Sequence, residues 1–150
     1  EFVEMATHYP SKAKELAARV EFLTSHIPDL RVVIAGESEG SLICDSVMSI
    51  LKDNPQIYSI HLGPPFWDNS SVSSRSLVLR SNGLVPDAFS QGNIFTIIRA
   101  NVEALFGISQ DSPGNILLYI GAPGHDYRWE YDEVRSQITN FLYESFGTRY

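Results

Sequence analysis

The chain has 150 residues, of which 43% are hydrophobic and 19% are charged, and its formal net charge is −7. This length and composition are typical of one globular domain with a single core and exclude a disordered chain. The negative charge disfavours nucleic acid and anionic membrane surfaces as partners, because like charges repel.

The longest apolar runs, such as residues 116–122, are far too short to span a bilayer, and no signal-peptide pattern is present. Cys44 is the only cysteine, so no internal disulfide is possible. It falls within an apolar helical pattern, where we expect a buried, inert thiol. The chain begins with Glu1 rather than methionine, which suggests a processed or shortened protein and leaves its compartment open.

The first half of the chain is predicted to form helix, strand, helix and strand. Apolar residues recur at helical spacing after Ser11, the expected N-cap, until Pro28 ends the helix. The run 31–35 lacks polar alternation, which is typical of a strand covered on both faces. A second helix is predicted over 40–52 and a second strand over 57–62.

The second half is predicted to contain a strand at 76–80, a helix at 93–106 and a strand at 115–121. A last helix follows, with apolar residues at helical spacing: Val134, Ile138, Phe141, Leu142 and Phe146. Strands that alternate with helices favour an α/β fold with a mostly parallel sheet of about four strands. No repeat or linker interrupts residues 1–150, so we predict a single domain. The connection 63–75 barely supplies the dozen or so residues that a parallel crossover requires.

A site on such a sheet is expected at the carboxyl ends of its strands. There, residues 36–40 read Gly-Glu-Ser-Glu-Gly and fit the pattern G-x-S-x-G between a strand and a helix. In this pattern a nucleophilic serine occupies a strained turn, and the glycines avoid a clash across it. Ser38 is therefore a candidate nucleophile, and the alternative interpretation is an ordinary helix cap.

Two glutamates flank this serine. Glu37 and Glu39 would oppose a negative charge that develops nearby, unless they point away or are paired. They also argue against a phosphate-binding loop, because such loops use glycines and a lysine.

These residues, together with His125 in a loop before the last helix, resemble the α/β-hydrolase family over nearly the whole chain. In that family the serine, the acid and the histidine follow three strands in this chain order, and Ser38, the loop 81–92 and His125 keep the order. The resemblance implies the C-terminal half of that fold, with about four N-terminal strands lacking. It also implies a triad that cleaves an ester or related acyl bond without a cofactor.

The acid of the triad has three candidates. Aligning Val85-Pro86 with the family's loop puts Asn82 close to the expected aspartate, but an asparagine cannot neutralise an imidazolium. Asp87 lies in the same loop, and Asp68 follows the preceding strand. We rank Asp87 ahead of Asp68, and the resemblance assigns the oxyanion hole to the backbone amide of Glu39.

Two functions follow from this sequence. The first is a serine hydrolase acting on a small-molecule acyl substrate through Ser38, His125 and Asp87. The second is a catalytically degenerate domain of the same type, used for binding or assembly. The lacking strands, Asn82 and the two glutamates favour the second function, which predicts a homodimer or pairing with an N-terminal segment.

The remaining histidines and aromatic residues have structural interpretations. No set of His, Cys, Asp and Glu has metal-ligand spacing, so no metal site is predicted, and nothing nearby completes a pair with His125-Asp126. Three histidines are interpreted as surface or packing residues: His8, His26 and His61. The apolar run from Pro64 to Trp67 either walls an acyl pocket or covers an exposed edge.

Overall fold

A computed structural model of the chain describes residues 2–68, 73–105 and 122–147. Its elements, in chain order, are α1 (Phe2–His26), β1 (Val32–Glu37), α2 (Glu39–Ile50), β2 (Ile57–Leu62), β3 (Ser76–Leu79), α3 (Ile94–Leu105) and α4 (Asp132–Phe146). The predicted α/β class with a parallel sheet is confirmed. The sheet of the described residues has three strands rather than about four, and the strand expected at 115–121 lies outside the described residues.

The three strands are parallel and lie in the order β1-β2-β3. Glu37 pairs with Leu62 at the end of β1, and Leu62 pairs with Leu79 at the end of β3. All three carboxyl ends therefore meet at one edge of the sheet. The connection between β2 and β3 does make the parallel crossover, although residues 69–72 lie outside the description.

Helices cover both faces of this sheet. On one face α1 and α2 pack on the strands through a cluster of buried residues: Ala13, Ala17, Val20, Ile34, Cys44, Val47, Leu51 and Ile57. On the other face α4 packs through Val134 against Leu79 of β3. Tyr58 of β2 also meets the ring of Phe146 there, at 4.9 Å between centroids. The alternation of strands and helices therefore produces the layered core expected of this class.

The first helix differs most from its prediction. It begins before Pro10 and runs through it, so Ser11 is an interior residue and not the N-cap. A proline removes one backbone hydrogen bond, but its fixed φ is helical and a helix can continue on both sides of it. The other bounds differ from the predictions by up to two residues, as is common at fraying ends. Among the described residues, no helix combines the length and apolar character that a membrane crossing requires.

Candidate active site

Ser38 occupies a strained turn between β1 and α2. Its backbone has φ 54° and ψ −121°, a combination that a residue with a side chain rarely adopts and that costs about 1–3 kcal/mol. The Ser38 amide donates a 2.8 Å hydrogen bond to the carbonyl of Leu62, which anchors the turn to the end of β2. Ser38 occupies the N-cap position of α2, but its hydroxyl forms no capping hydrogen bond, so its side chain is not committed to the helix.

Gly36 is required by the space inside this turn. A Cβ at this position would lie 2.3 Å from the carbonyl oxygen of Gly40, far closer than two such atoms can approach. A Cβ on Gly40 itself would meet nothing within 4 Å. The expectation that both glycines avoid a clash is therefore confirmed for Gly36 and wrong for Gly40, whose missing side chain would point into open space.

The imidazole of His125 is paired with Asp87. Its Nδ1 lies 2.8 Å from Oδ2 of Asp87, whose side chain is completely buried, while the His125 side chain is 17% exposed. Asp87 lies in the loop after β3, and His125 lies in the loop before α4. Because Nδ1 faces the carboxylate, Nε2 is the ring nitrogen left for proton transfer.

Asp87 receives three more hydrogen bonds. Tyr127 donates its hydroxyl to Oδ2 at 2.7 Å, and the amides of Phe89 and Ser90 donate to Oδ1 at 2.9 and 3.1 Å. Burial alone would raise the pKa of Asp87, but the hydrogen bonds from His125, Tyr127 and Ser90 outweigh it and hold the pKa below its usual value. Asp87 is therefore a carboxylate at neutral pH, as an acid that orients a histidine must be.

Gly63 leaves room for the histidine pair beside the serine turn. It directly follows β2 with φ 56°, and a Cβ there would lie 2.7 Å from both Asp87 Oδ2 and His125 Nδ1. Ser38 follows β1 at the equivalent position, since Glu37 pairs with Leu62. Neighbouring parallel strands are about 4.8 Å apart, so Ser38 lies one strand away from the residue that touches the imidazole.

The described residues contain no hydrogen bond between the Ser38 hydroxyl and His125. Catalytic hydrogen bonds are often long in ligand-free structures and shorten when substrate binds. A nucleophile and its base can therefore lack this hydrogen bond before substrate binds.

Asn82 has a structural role in this region. Its Oδ1 accepts hydrogen bonds from the amides of Leu84 and Val85, at 3.0 and 3.1 Å, and its Nδ2 donates to the carbonyl of Asp126 at 3.1 Å. Asn82 therefore joins the loop of the acid to the loop of the histidine through the backbone. Since His125 pairs with Asp87, neither Asn82 nor Asp68 is the partner of the imidazole.

Glu39 is the first residue of α2, so its amide belongs to the first turn of the helix, where backbone N–H groups lack partners within the helix. Glu37 is exposed at the end of β1. Within the described residues, no three His, Cys, Asp or Glu side chains converge on a point where a metal ion could bind.

The sequence gives no indication of the role of Tyr127 or of the backbone contacts of Asn82. An aromatic residue two positions after a candidate histidine is the only local signal for Tyr127. Its contact with Asp87 joins residues 40 positions apart, which no short pattern encodes.

Comparison of the chain with known proteins finds no matching family model, no matching curated protein and no matching solved structure.

Proposed function

We propose that this protein is a serine hydrolase of the α/β-hydrolase type that cleaves an ester or a related acyl bond. The observation that supports this most is the pair of His125 and buried Asp87, which packs against Gly63, one strand away from the strained turn of Ser38. A strained serine, an imidazole and a buried carboxylate at one edge of a parallel sheet are the groups that acyl transfer uses.

In the proposed reaction, Ser38 Oγ attacks the carbonyl carbon while His125 Nε2 accepts the hydroxyl proton. Asp87 holds the ring orientation and stabilises the imidazolium that forms. The amide of Glu39 donates to the developing oxyanion. His125 then returns its proton to the leaving alcohol, and a water molecule, deprotonated by the same nitrogen, hydrolyses the acyl-enzyme.

A second proposed function is a non-catalytic domain that binds or assembles. The apolar surface of α3 favours it, because Ile94, Phe95, Ile98 and Val102 are each about half exposed or more. Under this proposal the protein forms a homodimer or pairs with an N-terminal segment. Sedimentation equilibrium on this 16.8 kDa chain measures the homodimer directly.

Labelling with a fluorophosphonate probe, followed by intact-mass measurement, separates the two functions. We expect a single adduct on the unmodified protein and none on Ser38→Ala. Ser49→Ala, which changes an exposed serine of the adjoining helix, is the matched control and should label normally. Asp87→Asn should slow labelling by about 10²–10⁴-fold, because the imidazole loses its carboxylate partner.

Labelling of Ser38→Ala at the normal rate would overturn the assignment of the nucleophile. A folded protein that takes up no probe would favour the non-catalytic function. Circular dichroism of each variant checks that it is folded before labelling is compared.

A further inference from the structure

Three aromatic side chains extend in a row from the imidazole of His125. Phe89 meets His125 edge to face at 5.1 Å between ring centroids, Trp67 meets Phe89 at 5.6 Å, and Phe66 meets Trp67 at 4.9 Å. We refer to Phe66, Trp67 and Phe89 as the aromatic row. It starts at the proposed base and ends in solvent, since Phe66 and Trp67 are 48% and 47% exposed.

Burial, a hydrogen bond and ring packing hold the backbone that carries the aromatic row in place. Pro64 and Pro65 are fully buried, and the Ser90 hydroxyl donates to the Pro64 carbonyl at 2.6 Å. The ring of Phe66 packs on Gly92, where a Cβ would lie 3.0 Å from it. The loop of Phe66 and Trp67 is therefore held against the loop of Phe89.

Two polar side chains between these loops, those of Arg80 and Ser90, bind the backbone. The Arg80 guanidinium donates to the carbonyls of Asp68 and Ser90, both at 3.3 Å. These two hydrogen bonds connect the two loops. The Ser90 hydroxyl is likewise committed to Pro64. The row itself offers ring faces and edges, and these favour an uncharged, flat group.

We propose that the aromatic row binds an aromatic group of the substrate, so that the preferred substrates are uncharged aryl or arylalkyl esters. This inference rests on the proposed function, which places the scissile bond between Ser38 and His125. A ring that lies against the row completes the edge-to-face series begun by Phe89 and holds the ester at the imidazole. Such contacts bind the aromatic group and not the carbonyl, so they select among esters.

Hydrolysis of three uncharged esters tests the preference. Ethyl acetate is the reference, ethyl phenylacetate carries the ring on the acyl side, and benzyl acetate carries it on the alcohol side. We expect at least one aromatic ester to exceed ethyl acetate in kcat/KM by about tenfold or more. The side that gives the gain identifies which half of the substrate lies on the row.

Trp67→Ala should bring this ratio of kcat/KM values close to one. Trp129→Phe is the matched control, because Trp129 is the other tryptophan of the chain, is similarly exposed at 54%, and lies outside the row. It should retain the ratio. An unchanged ratio in Trp67→Ala would overturn the proposal.

Binding without turnover gives an independent test that does not depend on removing Trp67. In the double variant Ser38→Ala, Trp129→Phe, the only tryptophan is Trp67, so its fluorescence reports on the row alone. We expect a saturable change with benzyl acetate or ethyl phenylacetate and none with ethyl acetate.

The two tests separate the failure of the site from the failure of the function. A saturable signal from Trp67, with no ester cleaved by the unmodified protein, would support the row as a binding site and contradict the hydrolase. Cleavage of all three esters at similar rates, with no response of Trp67, would support the hydrolase and overturn the row.

Discussion

Tyr127 donates its hydroxyl to Asp87 Oδ2, the same oxygen that lies 2.8 Å from His125 Nδ1. Burial raises the pKa of Tyr127 far above its ordinary value, and the Asp87 charge raises it further, so Tyr127 remains a donor at every pH of interest. The carboxylate is thus shared between the base and a second residue, Tyr127.

Tyr127→Phe removes one of the hydrogen bonds that hold the pKa of Asp87 down, so we expect that pKa to rise. Hydrogen bonds to charged groups contribute about 1.5–3 kcal/mol, and the unfolding free energy at pH 7 should fall by about that amount. The loss should shrink as the pH falls through the pKa of folded Asp87, since a depressed carboxyl pKa stabilises only above it. Carbon-13 NMR of the carboxyl group and urea denaturation measure the two effects.

Tyr131→Phe is the matched control for this variant. Its hydroxyl donates at 3.0 Å to Oδ2 of Asp126, the residue next to His125, but outside the buried pair. We expect the pKa of Asp87 to stay where it is. Equal effects of the two substitutions would show that Tyr127 acts only through general packing.

Gly36→Ala should destabilise the turn of Ser38 strongly, because the new methyl group would overlap the Gly40 carbonyl. We expect a loss of about 2–3 kcal/mol in unfolding free energy, the usual scale for overpacking. Gly40→Ala places its methyl group in open space within α2 and should stabilise the protein by about 0.5–1 kcal/mol. Denaturant titrations that find equal costs at both positions would contradict the geometry of this turn.

Asn82→Asp is expected to lower the unfolding free energy, although an aspartate near this position is what the family resemblance implies. The amide of Asn82 donates to the Asp126 carbonyl, and an ionised carboxylate cannot donate. We expect a loss of about 1–3 kcal/mol at pH 7, partly recovered in acid, where the protonated carboxyl can donate again. An ester cleavage rate above that of the unmodified protein would show that this position supplies the acid after all.

His61 should make stability depend on pH below neutrality. It is buried on β2 with Nε2 2.9 Å from the Ser59 hydroxyl, and burial lowers its pKa against the opposing charges of Asp45 and Asp68. As the pH falls below about 6.5, His61 becomes protonated in the unfolded chain but stays neutral in the folded chain. The free energy of unfolding therefore falls by up to about 1.4 kcal/mol per pH unit. The fall ends at the lower pKa of the folded state.

His61→Gln should remove this part of the pH dependence below about pH 6.5, as measured by urea denaturation at closely spaced pH values. The exposed His26 serves as the comparison, and His26→Gln should leave the dependence in place. Identical slopes for the unmodified protein and His61→Gln would rule out His61 as the cause.

The parts of the fold that sequence could predict are those encoded locally. The bounds of β2 coincide with the prediction because a short run rich in Ile, Tyr and Leu lies between Pro55 and Gly63. The pairing of Asp87 with His125 could also be predicted, because the family resemblance implies an acid in the loop 81–92 and a histidine at position 125.

The remaining features depend on distances that a sequence does not contain. Ser11 has the chemistry of an N-cap, but the residues before Pro10 continue the helix, and a start signal says nothing about what precedes it. The support that Asn82 gives to Asp126 spans 44 positions and depends on how two loops meet. The second outcome is set by how the two loops pack and not by local preference.

Cys44 allows the opening of the buried cluster between α1, α2 and the sheet to be measured kinetically. It lies in the cluster that joins α1 and α2 to the sheet, and burial, followed by the Asp45 charge, raises its pKa to about 11. An alkylating reagent at neutral pH therefore finds neither the thiolate nor a path to it while the helices stay in place. Because the chain has no second thiol, alkylation can occur only at Cys44 and only after α1 or α2 moves away from the sheet. The rate at which the protein gains the mass of the reagent therefore measures how readily this cluster opens.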